Sequence, residues 1–394
     1  MPASKRDFTH LQSFPGTHGN RFDVVLRVAD IIEGLPGPVF ALLLAVTAAV
    51  PALLWRSWPL GLGLWAFMLG DWALLAGLPR YQRSYGPAKP PTLLLAAARV
   101  LVALLPPFVS FPLQAVGTLL VIYGFWIEPH RLGLTRQTLH SPKLAAGRPL
   151  RLLHLGDLHA EIGVTARERE LIRLVRAAEA DLILFSGDFL SLSYLHDPRA
   201  WAAAREVLQT LHAPLGVLAV SGSPAVDLPE ILPQLLAGLD NIRWLQDEVV
   251  TVEHEGTPIE IVGLTCTHKP FVDGPRLQAV LAEARAETAG RPVPFTILLY
   301  HTPDLAPEAA EAGVDLQLSG HTHGGQVRLP FYGALFAASL YGKRYEVGRL
   351  SEGLMTLYVT RGIGMEGKGA PRVRFLAPPE IIVWELSGEG PPAG

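Results

Sequence analysis

The 394-residue chain is poor in cysteine, poor in charge and almost balanced between its signs. Its single thiol, Cys266, excludes an internal disulfide and fits a reducing compartment. Lys and Arg number 33 against 36 Asp and Glu, a net charge of −3, so the basic footprint of a nucleic-acid binder is missing. Only 18% of residues are charged, whereas 49% are hydrophobic. That balance suits a soluble domain joined to membrane spans, provided the apolar excess is local. No repeat or low-complexity tract is found, and the polar start MPASKRDFTHLQSF lacks the apolar stretch of a signal peptide.

The excess is local, in residues 37–128. Four candidate spans follow one another there, Gly37–Leu54, Pro59–Leu78, Thr92–Leu113 and Gln114–Ile127, the last two interrupted by Pro106, Pro107 and Pro112. A bilayer-crossing helix needs about 20 apolar residues. Lys5, Arg6, Arg21 and Arg27 precede the spans; Arg80, Arg83 and Lys89 lie between the second and third, and Arg131, Arg136 and Lys143 follow the last. The other two connections hold only Arg56. Basic connections mark the cytoplasmic side. The expectation is a multi-pass protein of the cell inner membrane, in contact with the lipid bilayer, its second domain in the cytoplasm. Asp71 and Arg99 fall inside apolar runs, either as a pair between neighbouring helices or as part of a transport path.

From Leu150 the texture changes to short apolar runs alternating with helical periodicity, an α/β pattern with an antiparallel portion near the end. The organisation read from the chain is an N-terminal tail (1–36), a helical membrane domain (37–128), a polar linker (129–149), an α/β domain (150–388) and a tail (389–394).

Within the α/β half, chemistry-bearing residues close successive apolar runs: Asp157 and His159 in LLHLGDLHA, Asp188 in LILFSGDFLS, His301 in ILLYHTPD, His321 and His323 in LQLSGHTHGG. In open α/β sheets ligands gather beyond the carboxyl ends of strands. Residues i and i+2 of an extended terminus point the same way, so Asp157 with His159, and His321 with His323, can each reach one ion. Carboxylate and imidazole together suit Mn, Fe or Zn. Singly, each signal is bland: Asp188 can be a helix cap, His301 a core histidine. The ordered set is what points to a metal centre.

These motifs resemble those of the calcineurin-like metallophosphoesterases: Asp-x-His, Gly-Asp, a single His, then Gly-His-x-His. The continuation GHTHGGQVRLP and the closing YVTRGIG…RFLAPPEIIVWEL are similar to a bacterial, membrane-associated branch. The resemblance spans about residues 150–388 and implies a four-layer αββα sandwich with two divalent metal ions. It implies that Asp157, His159 and His323 hold one ion, His301 and His321 the other, and that Asp188 bridges them. It also implies a phosphohydrolase in which the ions activate water, acting on a phosphodiester or pyrophosphate bond of a phosphorylated small molecule or lipid.

One motif departs. Where the family carries Gly-Asn-His-Asp, this chain has Gly222-Ser223-Pro224-Ala225. Ser223 stands for an Asn ligand, with a hydroxyl that can ligate only weakly. Pro224 stands for the usual catalytic His and cannot move a proton. Losing a general acid typically costs on the order of 10²–10⁴ in rate. Ser191 stands where many relatives carry a second carboxylate. The alternative to an enzyme is therefore a metal-binding pseudoenzyme acting as a membrane sensor or scaffold. Asp227 and His268 are possible replacement groups, read more simply as solvated loop residues; His212 lies on the wrong edge and His154 reads as structural. Lys269, Lys343, Arg344, Arg361, Lys368, Arg372 and Arg374 could meet an anionic substrate, though surface solvation accounts for most of them.

Overall fold

The computed structural model describes residues 5–11, 13, 14, 17, 22–366, 368 and 371–388; Arg21 and the tail from 389 lie outside them. An amphipathic helix α1 (Phe22–Glu33) leads into α2 (Gly37–Leu54), α3 (Trp58–Gly77), α4 (Lys89–Ala103) and α5 (Pro107–Ile122). Phe40, Leu44, Ala48, Leu64, Met68, Ala96 and Ala103 pack inside this bundle. Its outer face is apolar as well, with Leu42, Val46, Leu53, Leu101, Phe108 and Leu119 exposed. A helix apolar on all sides is one built for hydrocarbon or a large core. Three helical stretches, Gly37–Leu54, Trp58–Tyr81 and Pro107–His130, are long and apolar enough to cross a membrane. The shorter α4 reaches about 22 Å at 1.5 Å per residue.

The third and fourth candidate spans, α4 and α5, divide at Leu104–Pro106, not near residue 113 as the apolar pattern predicts. The reason is where the prolines fall. Pro107 starts α5, the position at which a missing N–H costs nothing, while Pro112 is carried within the helix. Asp71 and Arg99 meet: Nε donates to Oδ2 at 2.5 Å and Nη2 to Oδ1 at 2.7 Å. The guanidinium also donates to the Gln114 carbonyl, Gln114 Oε1 and Thr118 Oγ1, at 2.9–3.0 Å. This is a satisfied clamp between helices, and it leaves the transport reading no unpaired charge.

Past α5 the chain builds β1 (Gly133–His140), β2 (Leu150–Leu155), α6 (Ala166–Ala178), β3 (Leu182–Phe185), α7 (Pro198–Leu208), β4 (Val217–Ala219), α8 (Leu232–Leu236), β5 (Arg243–Trp244), β6 (Glu248–His254) and β7 (Thr257–Gly263). Then come α9 (Pro270–Glu287), β8 (Phe295–Leu299), α10 (Ala306–Glu311), β9 (Leu316–Ser319), a small β10 (Arg328–Leu329) and β11 (Gly333–Ala334), β12 (Gly348–Glu352), β13 (Met355–Val359) and β14 (Glu380–Ser387). One six-stranded sheet has the order β1-β14-β2-β3-β4-β5, the other β12-β13-β9-β8-β7-β6. Between them lies a core of Leu152, Leu184, Ile261, Ile297, Leu318, Ile382 and Trp384. Helices α6, α7 and α8 cover the outer face of the first sheet, and α9 with α10 that of the second. The result is the four-layer αββα sandwich.

The stretch expected as linker contributes to this sheet. Residues 133–140 pair with β14 in parallel register, Gly133 opposite Glu380 and His140 opposite Ser387. The strand is half-exposed and polar because it forms the sheet edge, so it lacks the alternation that betrays an inner strand. Other contacts join the two halves: Glu128 accepts the N–H groups of Leu376 (3.0 Å) and Ala377 (2.5 Å), and Gly124 accepts that of Arg374 (3.0 Å). The Ser84–Tyr85 loop donates to the buried Glu161 carboxylate, which Arg372 also meets.

Candidate metal centre

The six residues selected from the sequence converge. Asp157 and His159 follow β2, Asp188 follows β3, His301 follows β8, and His321 and His323 follow β9, at the carboxyl ends of two neighbouring strands in each of the two sheets. His159 Nε2 lies 3.0 Å from His323 Nε2. Asp188 Oδ2 stands 3.5 Å from His159 Nε2 and 3.3 Å from His301 Nε2, between the two imidazole groups. Ser223 Oγ points into the same place, 3.0 Å from His301 Nε2 and 3.3 Å from His321 Nδ1. His301 Nδ1 is held by the Ser186 carbonyl at 2.8 Å, which leaves Nε2 for the centre.

The backbone is bent to achieve this. Asp157, His159, Asp188, His321 and His323 all have φ between 43° and 70°. Such left-handed conformations cost about 1–2 kcal/mol each in residues other than glycine. Strain gathered at one spot points to a site whose side-chain aim outweighs backbone comfort. Two glycines make room. A Cβ on Gly320 would stand 2.4 Å from Asp157 Oδ2, and one on Gly222 would stand 2.2 Å from Asp188 Oδ1.

The donor set fits divalent cations. Asp157 Oδ2 and His321 Nε2 are buried without a hydrogen-bond partner among the described residues, an expensive arrangement for polar atoms unless a ligand satisfies the group. Ligand atoms of Asp157, His159 and His323 lie within 4.8 Å of one another, as do those of Asp157, Asp188 and His301. Burial, then the neighbouring Asp188 charge against that of His301, leaves the Asp157 carboxyl raised. Burial would raise Asp188 too, but His301, His159 and His321 bring it well below the usual carboxylate range. Burial holds the His321 imidazole down to about 3 and keeps His323 low, both in the neutral form that ligates.

Four residues matter more than the sequence suggests. Asp227, expected as a solvated loop residue, is buried and accepts the N–H groups of Gly222 (2.7 Å), Asp188 (2.8 Å) and Phe189 (3.0 Å), tying two ligand loops together. Burial, then the Asp188 charge, pushes its carboxyl up to about 7 against those donors. His268, expected likewise, is only 2% exposed and faces His321 edge-on at 4.6 Å between ring centroids. Arg374 is fully buried and spans the His323 carbonyl (2.8 Å) and its Nδ1 (3.1 Å). Arg372 donates to Ser191 Oγ at 2.7 Å. Surface solvation does not account for these two arginines. Arg344 and Arg361 are paired to Glu352 and Glu380, and of the seven basic residues only Lys368 lines the cavity above the centre. His212 is exposed, and the buried His154 meets Ser186 Oγ at 3.1 Å. One usable signal pointed to His268: like His301, it follows the end of a buried strand.

The calcineurin-like phosphoesterase family model matches residues 150–325. An uncharacterized metallophosphoesterase of Bacillus subtilis, YkuE, is 31% identical over 271 residues, 67% of this chain and 88% of YkuE. LpxG of Chlamydia trachomatis, a UDP-2,3-diacylglucosamine pyrophosphatase, is 26% identical over 318 residues, 68% of this chain and 93% of LpxG. The phosphodiesterase YaeI of Escherichia coli is 28% identical over 273 residues, 67% of this chain and 92% of YaeI. The chain belongs to the calcineurin-like metallophosphoesterases. It is a hydrolase of phosphoester bonds in a family that uses divalent metals, and its Asp and His clusters are able to bind them.

Proposed function

We propose that this is a membrane-anchored phosphohydrolase that cleaves a pyrophosphate or phosphodiester bond in an amphiphilic, lipid-linked substrate. The observation that carries the reading is a cavity of about 1280 Å³ with His159, Asp188, Ser223, His321 and His323 at one end. Leu26, Leu192, Leu195, Val226 and Phe336 line it as well, beside charged Asp23, Asp197, Glu366 and Lys368. Lys368 and Pro371 also line a second, apolar cavity of about 180 Å³ against α1 and the start of α4. A cavity that reaches from Asp23 and Leu26 of α1 to the strand ends bearing the candidate ligands, with apolar and charged groups along it, suits a substrate with an acyl tail and a phosphorylated head.

In this reading Asp157, His159 and His323 hold one divalent ion, His301 and His321 a second, and Asp188 lies between both. Mn, Fe and Zn suit the mixed set. The chemistry such a pair supplies when bound is polarisation of phosphoryl oxygens and activation of water. Asp227 fixes the backbone of Asp188 and Gly222, and Arg374 fixes His323. The Ser223-Pro224-Ala225 loop supplies no side chain acidic enough to protonate a leaving group, which favours a leaving group stable as an anion, a phosphate rather than an alkoxide. Basic connections around α3, α4 and β1 favour a cytoplasmic catalytic domain in a multi-pass inner-membrane protein.

The test uses full-length protein in detergent with Mn²⁺, comparing bis-p-nitrophenyl phosphate with a diacylglyceryl nucleoside diphosphate and taking Asp188→Asn as control. The expected result is metal-dependent turnover of both, faster for the lipid pyrophosphate and lost in the variant. Stoichiometric metal binding without turnover of either would refute the enzyme and favour a metal-binding sensor or scaffold, a reading that the altered loop motivates.

A further inference from the structure

We infer that His268 is a ligand of the second ion, an imidazole recruited where the altered loop has lost its amide. The inference rests on the metal assignment proposed above. With Ser223 in place of an Asn, the second position keeps Asp188, His301, His321 and a neutral hydroxyl. That hydroxyl is aimed into the site, but it is a poor donor to a divalent ion beside imidazole or carboxylate.

His268 supplies what is missing. It follows β7, the strand beside β8, so the sheet places it next to the strand end that carries His301. Its φ of 63° puts it in the same left-handed conformation as five of the six sequence-selected residues. The ring is 4.6 Å from that of His321 and 6.1 Å from that of His301. Ligand atoms of His268, His301 and His321 lie within 4.8 Å of one another. Its Nε2 is buried with no hydrogen-bond partner among the described residues. A buried imidazole nitrogen left unpaired is costly, and a ligand role removes the cost.

The other role open to an extra histidine is protonation of the leaving group, in place of the missing catalytic His. Position argues against it. Ser223, Ala225, His321 and His323 line the substrate cavity, whereas His268 is not among its lining residues. A proton donor must face the substrate; a ligand can approach its ion from behind. Three imidazoles and a carboxylate also make a nitrogen-rich position that selects Zn or Co over Mg.

Co²⁺ is the probe. Full-length protein in detergent is stripped with dipicolinate and titrated with Co²⁺, followed by calorimetry and by visible absorption of the bound ion. Wild type should take up two equivalents. His268→Ala should keep the first and bind the second at least tenfold more weakly, with a changed absorption band for that equivalent, while Ser223→Ala should shift it little. His268→Gln, nearer in shape, guards against misfolding: it should melt like wild type without metal and yet gain less from Co²⁺. Two equivalents with unchanged affinity and spectrum in both His268 variants would overturn the inference while leaving the enzyme reading intact. No binding by wild type would overturn both.

Discussion

Asp227 offers the sharpest trial of how the centre is held, because its carboxylate is the shared acceptor for two ligand loops. In Asp227→Ala three backbone N–H groups, those of Gly222, Asp188 and Phe189, lose an acceptor at 2.7–3.0 Å. Hydrogen bonds to a charged group contribute about 1.5–3 kcal/mol each, which bounds the loss from above. Asp188 and the neighbouring Val226 line the cavity, so water can enter and recover part of it. A cost of about 3–5 kcal/mol is therefore expected, or about 6–20 °C in melting temperature for a domain of this size. Asp227→Asn should cost less: with its carbonyl oxygen in the place of Oδ2 it still accepts from Gly222 and Asp188, but its amide nitrogen then faces the Phe189 N–H, donor against donor. The assay is thermal unfolding of the full-length protein in detergent, with and without Mn²⁺, beside Mn²⁺ affinity. Melting within 1–2 °C of wild type for both variants, roughly the shift expected of a neutral surface change, would refute the clamp and return Asp227 to an ordinary loop.

Removal of metal by dipicolinate should lower the melting temperature by about 5–10 °C, since a ligand at 100 times its Kd stabilises by about 2.7 kcal/mol, and readdition of Mn²⁺ should restore it. Asp71→Asn should cost about 3–5 kcal/mol in thermal stability by stranding the buried Arg99 charge, whereas Asp71→Leu with Arg99→Met should come close to neutral; equal losses in both would count against the clamp. Burial raises the Asp304 carboxyl to about 6, so the folded state holds its proton more tightly than the unfolded chain. That contribution is full below about pH 4 and is lost as pH rises through 6, worth up to about 3 kcal/mol. Melting curves of wild type minus Asp304→Asn should fall over this window, and a flat difference would contradict it.

The candidate metal residues were legible in the sequence because their signal is local: Asp157, Asp188, His301 and His321 each close an apolar run of strand length, and the set repeats in order. Asp227 was not, since nothing in its neighbours announces that two loops will close over it, and His268 showed only its place after a strand; burial is a tertiary property. The helix break at Leu104–Pro106 escaped because three prolines lie within seven residues and only the fold decides which one starts a helix. β1 escaped because its partner is the last strand of the chain, and no local pattern encodes a partner that distant.

That pairing sets an order of events during synthesis. β1 leaves the ribosome just behind the apolar helices, but the strand it must lie beside is made about 240 residues later. At about 5–20 residues per second, the edge waits on the order of tens of seconds. Through that interval the growing sheet waits beside the apolar helices with its first strand unpaired, and β2 cannot gain its antiparallel neighbour until the same moment. The final strand is thus a latch: the nascent chain becomes a closed sandwich only when its C-terminal end returns to the helices from which the domain set out.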